Sequence, residues 1–323
     1  MRALVVTEPG RVDLVERSAP EPPAGGTLVR PELVGLCGTD LEIIDGKIDP
    51  AYVRYPLVLG HEWTGRSEDG SRVVAEGIVP CGHCPRCRAG ETNLCETYDE
   101  IGFTRDGAAA DAIVVPSSLV HGIGGHVDIA DAALVEPCAV VHRALLRAAP
   151  PAGARVLVVG DGTVALLTAH LVGAFAPAGV TMLGRRPAQE ELALRMGAGR
   201  FVVDDAAAGS GYDVVVEAAG VTAAALAAIG AARRGGVVVL LGLPPHGETG
   251  PVAFDGLVND DLTILASFSY TSAAWAEVVA LVNEGTIHPG RVVTHRFALE
   301  EWPAAIDTLR TATGPRGKVV LTI

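Results

Sequence analysis

Val156-Leu157-Val158-Val159-Gly160-Asp161-Gly162-Thr163-Val164-Ala165 is the stretch on which the fold turns. Its first four residues are all apolar, without the alternation of a strand that has one solvated face. They read as a strand buried on both faces. Gly160 and Gly162 then break the run in a G-x-G-x-x-A pattern, and an Ala/Leu-rich helix follows. In this setting Gly160 permits a tight turn and Gly162 lets a pyrophosphate reach the backbone. Ala165 is small enough for helix to pack on strand, and the helix N-terminus faces the phosphates. Gly160, Gly162, Thr163 and Val164 are the candidate dinucleotide-binding residues. A glycine turn with no ligand is the competing reading, and the strand–helix units around it favour the cofactor.

Working outward, apolar strands are expected at 155–159, 180–183, 201–203, 214–217 and 237–241, with helices at 164–174, 187–196 and 223–232. Such alternation indicates a doubly wound parallel sheet, a Rossmann domain over residues 141–270. The second strand ends at Leu183-Gly184-Arg185-Arg186, where an NAD site would carry Asp or Glu for the ribose 2′-hydroxyl. Arginine pairs bidentately with phosphate, and no acidic neighbour stands beside these two to repel a 2′-phosphate. Arg185 and Arg186 therefore predict NADP, with NAD as the alternative cofactor and a solvated loop as the plain reading.

Before Pro150-Pro151-Ala152-Gly153 the chain is rich in short strands bounded by Pro and Gly, such as 27–34 and 112–116. This region, residues 1–140, reads as a β-rich domain. The tail 271–323, with a pattern of helix, strand, helix and a final strand over 318–323, could complete either domain. Met1 to Val6 reads as an edge strand, too short and too soon polar for a signal peptide. No apolar run is long enough to span a membrane. A net charge of −13 without a basic block argues against nucleic acid. A cytoplasmic protein with a small-molecule partner is expected.

Six cysteines are present, and four form C-x2-C-x2-C-x7-C at Cys81, Cys84, Cys87 and Cys95. In a reducing compartment such crowding indicates metal rather than disulfides. Four thiolates suit a closed structural zinc. They also suit an iron–sulfur cluster, although the rest of the chain favours zinc. His83, inside the loop, is surplus. A dispersed set, Cys37, His61 and Glu136, offers the mixed S, N and O ligands of a catalytic zinc with one open position. Singly, each would serve as a buried thiol, a core histidine and a helix-start carboxylate. Cys138, two residues after Glu136, is expected to pack in the following helix, with a place among the metal ligands as the alternative.

Gly60-His61-Glu62-Trp63-Thr64-Gly65, Cys37-Gly38-Thr39-Asp40, the four-cysteine lobe and the glycine turn occur in the order seen in the zinc-containing medium-chain dehydrogenases/reductases. The chain resembles that family, the alcohol dehydrogenase superfamily, along essentially its whole length. The resemblance implies a GroES-like catalytic domain completed by 271–323, two zincs per chain, and a homodimer or homotetramer. It implies Cys37, His61 and Glu136 as catalytic zinc ligands, with Glu62 able to exchange onto the metal. Asp40 would orient His61, Thr39 would be the first proton carrier, and Lys318 would lie near metal and cofactor. The segments 37–47, 57–62, 134–137 and 183–186 are similar to glucose 1-dehydrogenases of the polyol and sugar branch. Glu42 stands where many relatives have a relay histidine, and the segment after Gly65 is short. Ala266-Ser267-Phe268-Ser269 departs from the glucose enzymes, Thr294-His295-Arg296-Phe297 resembles threonine and sorbitol dehydrogenases, and 102–107 resembles aminocyclitol dehydrogenases.

The expected activity is hydride transfer between NADP(H) and a secondary alcohol or hemiacetal carbon of a sugar, polyol or cyclitol. The alternatives are a threonine- or aminocyclitol-type dehydrogenase using NAD(H), a zinc-free reductase of the same fold, and a non-catalytic nucleotide sensor keeping only the structural zinc.

Overall fold

The computed structural model describes residues Met1–Ile323, which divide into two compact units. The first holds Met1–Ala139, Tyr270–Ala312 and Lys318–Ile323, and the second holds Val140–Ser269 and Thr313–Gly317. No helix is long and apolar enough to cross a membrane.

In the first unit a sheet runs in the order Val293–Ala298, Lys318–Thr322, Gly26–Leu36, Glu62–Ser67, Arg72–Ala75 and Val120–Gly122. Ile113–Pro116 pairs the start of Gly26–Leu36. Gly26–Leu36 is therefore the spine, with the chain's last strand on one side and Glu62–Ser67 on the other. Its inward residues Val29, Val34 and Leu36 pack with Leu4, Ile43, Leu57 and Trp63 in one core cluster. A smaller sheet places Arg2–Glu8 between Arg11–Glu16 and Leu57–Val58. The N-terminal strand is thus central rather than at an edge. Ala3–Val6 is buried throughout, and its second partner lies some fifty residues on, so both rows of its backbone groups find bonds.

The second unit is a six-stranded, fully parallel sheet in the order Arg200–Val202, Gly179–Leu183, Arg155–Val159, Tyr212–Glu217, Ala232–Leu240 and Thr263–Ala266. Counted within the unit this is 3-2-1-4-5-6, the Rossmann order. The run Val156–Val159 is buried, as its unbroken apolar character requires. The sixth strand and the short helices Asp205–Ala208 and Phe254–Asn259 lack a strong sequence period and were not expected. Strand order reverses between Arg155–Val159 and Tyr212–Glu217, and a ligand crevice opens outside the carboxyl ends of such a pair.

Candidate active site and metal centres

The spine strand ends at Leu36, and Cys37 caps the helix Gly38–Ile44. Asp40, in the first turn, accepts the Cys37 backbone N–H through Oδ2 at 2.7 Å. Thr39 Oγ1 stands 3.6 Å from Cys37 Sγ. Antiparallel pairing sets Gly35 opposite Glu62, which brings His61 and Glu62 beside Cys37. His61 is buried, its ring tilted on Phe103 at 5.1 Å between centroids. Its Nδ1 faces Asp40 Oδ1 at 3.4 Å, leaving Nε2 to point inward, 3.9 Å from Glu62 Oε1. Asp40 thus holds the Cys37 backbone and lies beside the imidazole.

The ligand atoms of Cys37, His61 and Glu62 all lie within 4.8 Å of one another. Zinc bonds of about 2.0–2.3 Å place tetrahedral ligand atoms roughly 3.3–3.8 Å apart, so this sulfur, nitrogen and oxygen set fits a zinc with modest contraction. Burial opposes a charge on His61, but Asp40 and Cys37 outweigh it and hold the ring well above its ordinary pKa. Glu136, in the first turn of Val135–Ala148, lies outside this close group. Burial pushes its carboxyl up to about 8; His61 opposes the shift, and the Glu62 and Glu100 charges add to it. The Lys318 charge also opposes the shift, and the carboxyl stays raised all the same, a setting that suits a site able to take a further cation. Cys138 is buried in the same helix, its thiol raised by burial.

Lys318, first residue of the last strand, lies across the spine from Glu62. Its Nζ stands 2.6 Å from the Glu62 carboxylate, and both side chains are 1% exposed. The pair passes over Gly35, where a Cβ would fall 2.6 Å from Glu62 Oε2 and 3.4 Å from Lys318 Cδ. Only glycine leaves that space. Burial works against the ammonium, yet Glu62 and Cys37 raise its pKa. Lys318, expected near metal and cofactor, is ion-paired with Glu62. Glu100 was missed by the sequence reading. It is buried, accepts from the Tyr98 hydroxyl, and is pushed up to about 7 by burial. No local pattern marks it.

The four-cysteine lobe folds around its own sulfurs. Cys81 donates its backbone N–H to Cys95 Sγ at 3.3 Å, Cys84 to Cys81 Sγ at 3.4 Å, and Cys87 to Cys84 Sγ at 3.4 Å. Cys81 Sγ and Cys87 Sγ are 3.9 Å apart, close to the ~3.8 Å edge of a zinc–thiolate tetrahedron. Backbone donors at Glu96 and Cys87 lower Cys84 to about 6, favouring the thiolate a metal needs. His83 is exposed, with Nδ1 on the Cys81 carbonyl. Cys87→Ser is expected to remove one zinc per chain and lower Tm on the order of 10 °C, read by metal analysis and thermal melting. Unchanged zinc content would remove Cys87 from the ligand set.

In the second unit Gly160 adopts φ +128°, and its N–H donates to the Leu183 carbonyl at 2.8 Å. A Cβ there would sit 3.1 Å from the Ala218 carbonyl, so the turn needs glycine for both conformation and space. Gly162 caps the helix Thr163–Leu171, with Thr163 and Val164 in its first turn. Opposite, buried Glu217 accepts the Ala219 and Gly220 N–H groups at 2.7 and 2.8 Å and shapes the far wall. The crevice between has a volume of about 430 Å³ and includes Gly160, Asp161, Gly162, Arg185, Arg186 and Arg316.

The expectation that no acid stands beside the arginines is corrected here. Asp161 Oδ2 accepts the backbone N–H of Arg185 at 2.9 Å and of Arg186 at 3.0 Å, while Oδ1 pairs with Arg186 Nη2 at 3.0 Å. The acid comes from the glycine turn, which the pairing of the first two strands sets against the second strand's end. Arg316, also missed, arrives from the far end of the chain and leaves no motif.

Two family models match the sequence: the alcohol dehydrogenase GroES-like domain over residues 23–124 and the zinc-binding dehydrogenase model over residues 160–284. The chain is 28% identical to a sorbitol dehydrogenase of Halalkalibacterium halodurans, covering 100% of this chain and 99% of that one. It is 28% identical to an L-threonine 3-dehydrogenase of Alteromonas mediterranea, covering 94% and 95%. Among solved structures, a zinc-binding dehydrogenase of Sinorhizobium meliloti 1021 bound to NADP superposes with a TM-score of 0.92 at 29% identity, covering 100% and 99%. Galactitol-1-phosphate dehydrogenase of Escherichia coli gives 0.89 at 27% identity over the whole of both chains.

Proposed function

Because the chain belongs to the zinc-binding dehydrogenases with a GroES-like alcohol dehydrogenase domain, we propose that it transfers a hydride between NADP(H) and a secondary-alcohol or hemiacetal carbon of a small polar substrate: a sugar, polyol or cyclitol. The observation that carries this reading is the polar setting of the Cys37–His61–Glu62 cluster, with Asp40 and the Glu100 and Glu136 carboxyls close enough to act on its charges. Such charged surroundings suit a hydroxyl-rich molecule, which can hydrogen-bond there, better than an aliphatic one. The sorbitol dehydrogenase likeness supports the same class.

When bound, zinc supplies Lewis acidity at an alcohol oxygen and NADP takes the hydride. Cys37, His61 and Glu136 hold that metal in this reading, with Glu62 as a further ligand. Asp40 fixes the His61 ring. Thr39 Oγ1, beside Cys37 Sγ, accepts the substrate hydroxyl proton and passes its own hydroxyl proton on toward solvent. Cys81, Cys84, Cys87 and Cys95 hold a second, structural zinc. Gly160, Gly162, Thr163 and Val164 receive the pyrophosphate, and Arg185 and Arg186 the 2′-phosphate. Arg185→Ala is expected to lower kcat/KM for NADP about tenfold or more while leaving NAD unchanged. A higher kcat/KM with NAD, unaffected by that variant, would sink the NADP reading. Equal identity to L-threonine 3-dehydrogenases favours a second reading, an amino-alcohol substrate used with NAD(H).

A further inference from the structure

The segment Thr313–Gly317 packs with the second unit although it lies far along the chain. Its anchor is Gln189, which is wholly buried. Gln189 Nε2 donates to the Asp161 carbonyl at 2.7 Å and to the Arg316 carbonyl at 2.8 Å, and Oε1 accepts the Arg316 N–H at 2.6 Å. One buried amide thus ties the glycine turn to Arg316, itself 127 positions from Gln189. A buried amide is tolerated only when its bonds are made, so this link is specific in geometry.

The latch leaves the half-buried Arg316 side chain lining the same crevice as Arg185 and Arg186. Three guanidiniums there meet two carboxylates, Asp161 and the exposed Asp205. Asp161 is already engaged by two backbone N–H groups and by Arg186. It has little capacity left for a ribose hydroxyl. Arg186 Nη1 is buried and lacks an acceptor. The Arg185 and Arg316 guanidiniums have no ion pair. Burial and the Arg186 charge pull Arg316 below its ordinary pKa, with Asp161 acting the other way. Cations crowded and half-desolvated in this manner are favourable once an anion lies among them.

We infer that Arg316 is a specificity-determining residue that, with Arg185 and Nη1 of Arg186, clasps the 2′-phosphate of an adenine dinucleotide, Gln189 acting as its positioning residue. This rests on the NADP reading above and adds a contact from the carboxyl-terminal segment. The test is calorimetric titration of the zinc-loaded full chain with adenosine 2′,5′-bisphosphate and with AMP. Wild type is expected to bind the bisphosphate more tightly. Arg316→Ala should weaken bisphosphate binding about 10- to 100-fold and leave AMP within about twofold. Gln189→Met should give the same selective loss with the arginine still present; if it fails to fold, the half-exposed Arg316→Ala decides alone. Wild-type preference for the bisphosphate with Arg316→Ala unchanged, or weakened equally for both ligands, overturns the role of Arg316 and leaves the NADP reading standing. Equal binding of both ligands by wild type overturns the NADP reading, and the clasp with it.

Discussion

Cys37→Ala or His61→Ala is expected to reduce turnover ~10³-fold or more while leaving a folded chain with about one zinc instead of two. The two side chains supply the sulfur and nitrogen of the clustered set. Neither carries much of the core. Cys37 is half-exposed at a strand end, and His61 contributes one ring contact with Phe103. The four-cysteine lobe shares no residue with that set, so its zinc should persist. Metal analysis together with a melting curve separates loss of site from loss of fold. Two zincs in Cys37→Ala would remove Cys37 from the metal site.

Lys318→Met should cause the largest loss of stability among single changes near the site. The Lys318–Glu62 pair is almost wholly buried, and removing the ammonium strands a carboxylate away from water. Breaking a buried pair from one side costs about 3–5 kcal/mol, whereas replacing both partners by apolar groups is often neutral. Lys318→Met should therefore melt well below wild type when the metal has been removed by chelation, and the double variant Lys318→Met with Glu62→Leu should recover much of the difference. A single variant that melts like wild type would show that the pair holds nothing together.

Much of this was legible in the sequence where the signal is local. The glycine turn needs only ten consecutive residues to specify strand, turn and helix, and the parallel sheet around it has the expected Rossmann order. The cysteine spacing needs only fifteen residues, and its sulfurs converge. Illegible features were those made by strand register. Gly35 reads as an ordinary glycine until Glu62 and Lys318 arrive from either side. Asp161 reads as the variable residue of the glycine motif until the second strand's end lies against it. Met1–Val6 reads as an edge until Leu57–Val58 pairs with its strand. In each case the partner is supplied by long-range pairing, and no window along the chain contains both halves.

The central claim, NADP-linked redox chemistry on a polar secondary alcohol, is tested most directly at the nicotinamide absorbance. The zinc-loaded chain would be mixed with aldoses, polyols, aminocyclitols, L-threonine and simple aliphatic alcohols, each with NADP⁺ and with NAD⁺. The expected result is turnover on at least one sugar, polyol or cyclitol, with the higher kcat/KM for NADP⁺. Turnover confined to simple aliphatic alcohols, or a clear preference for NAD⁺, would contradict it.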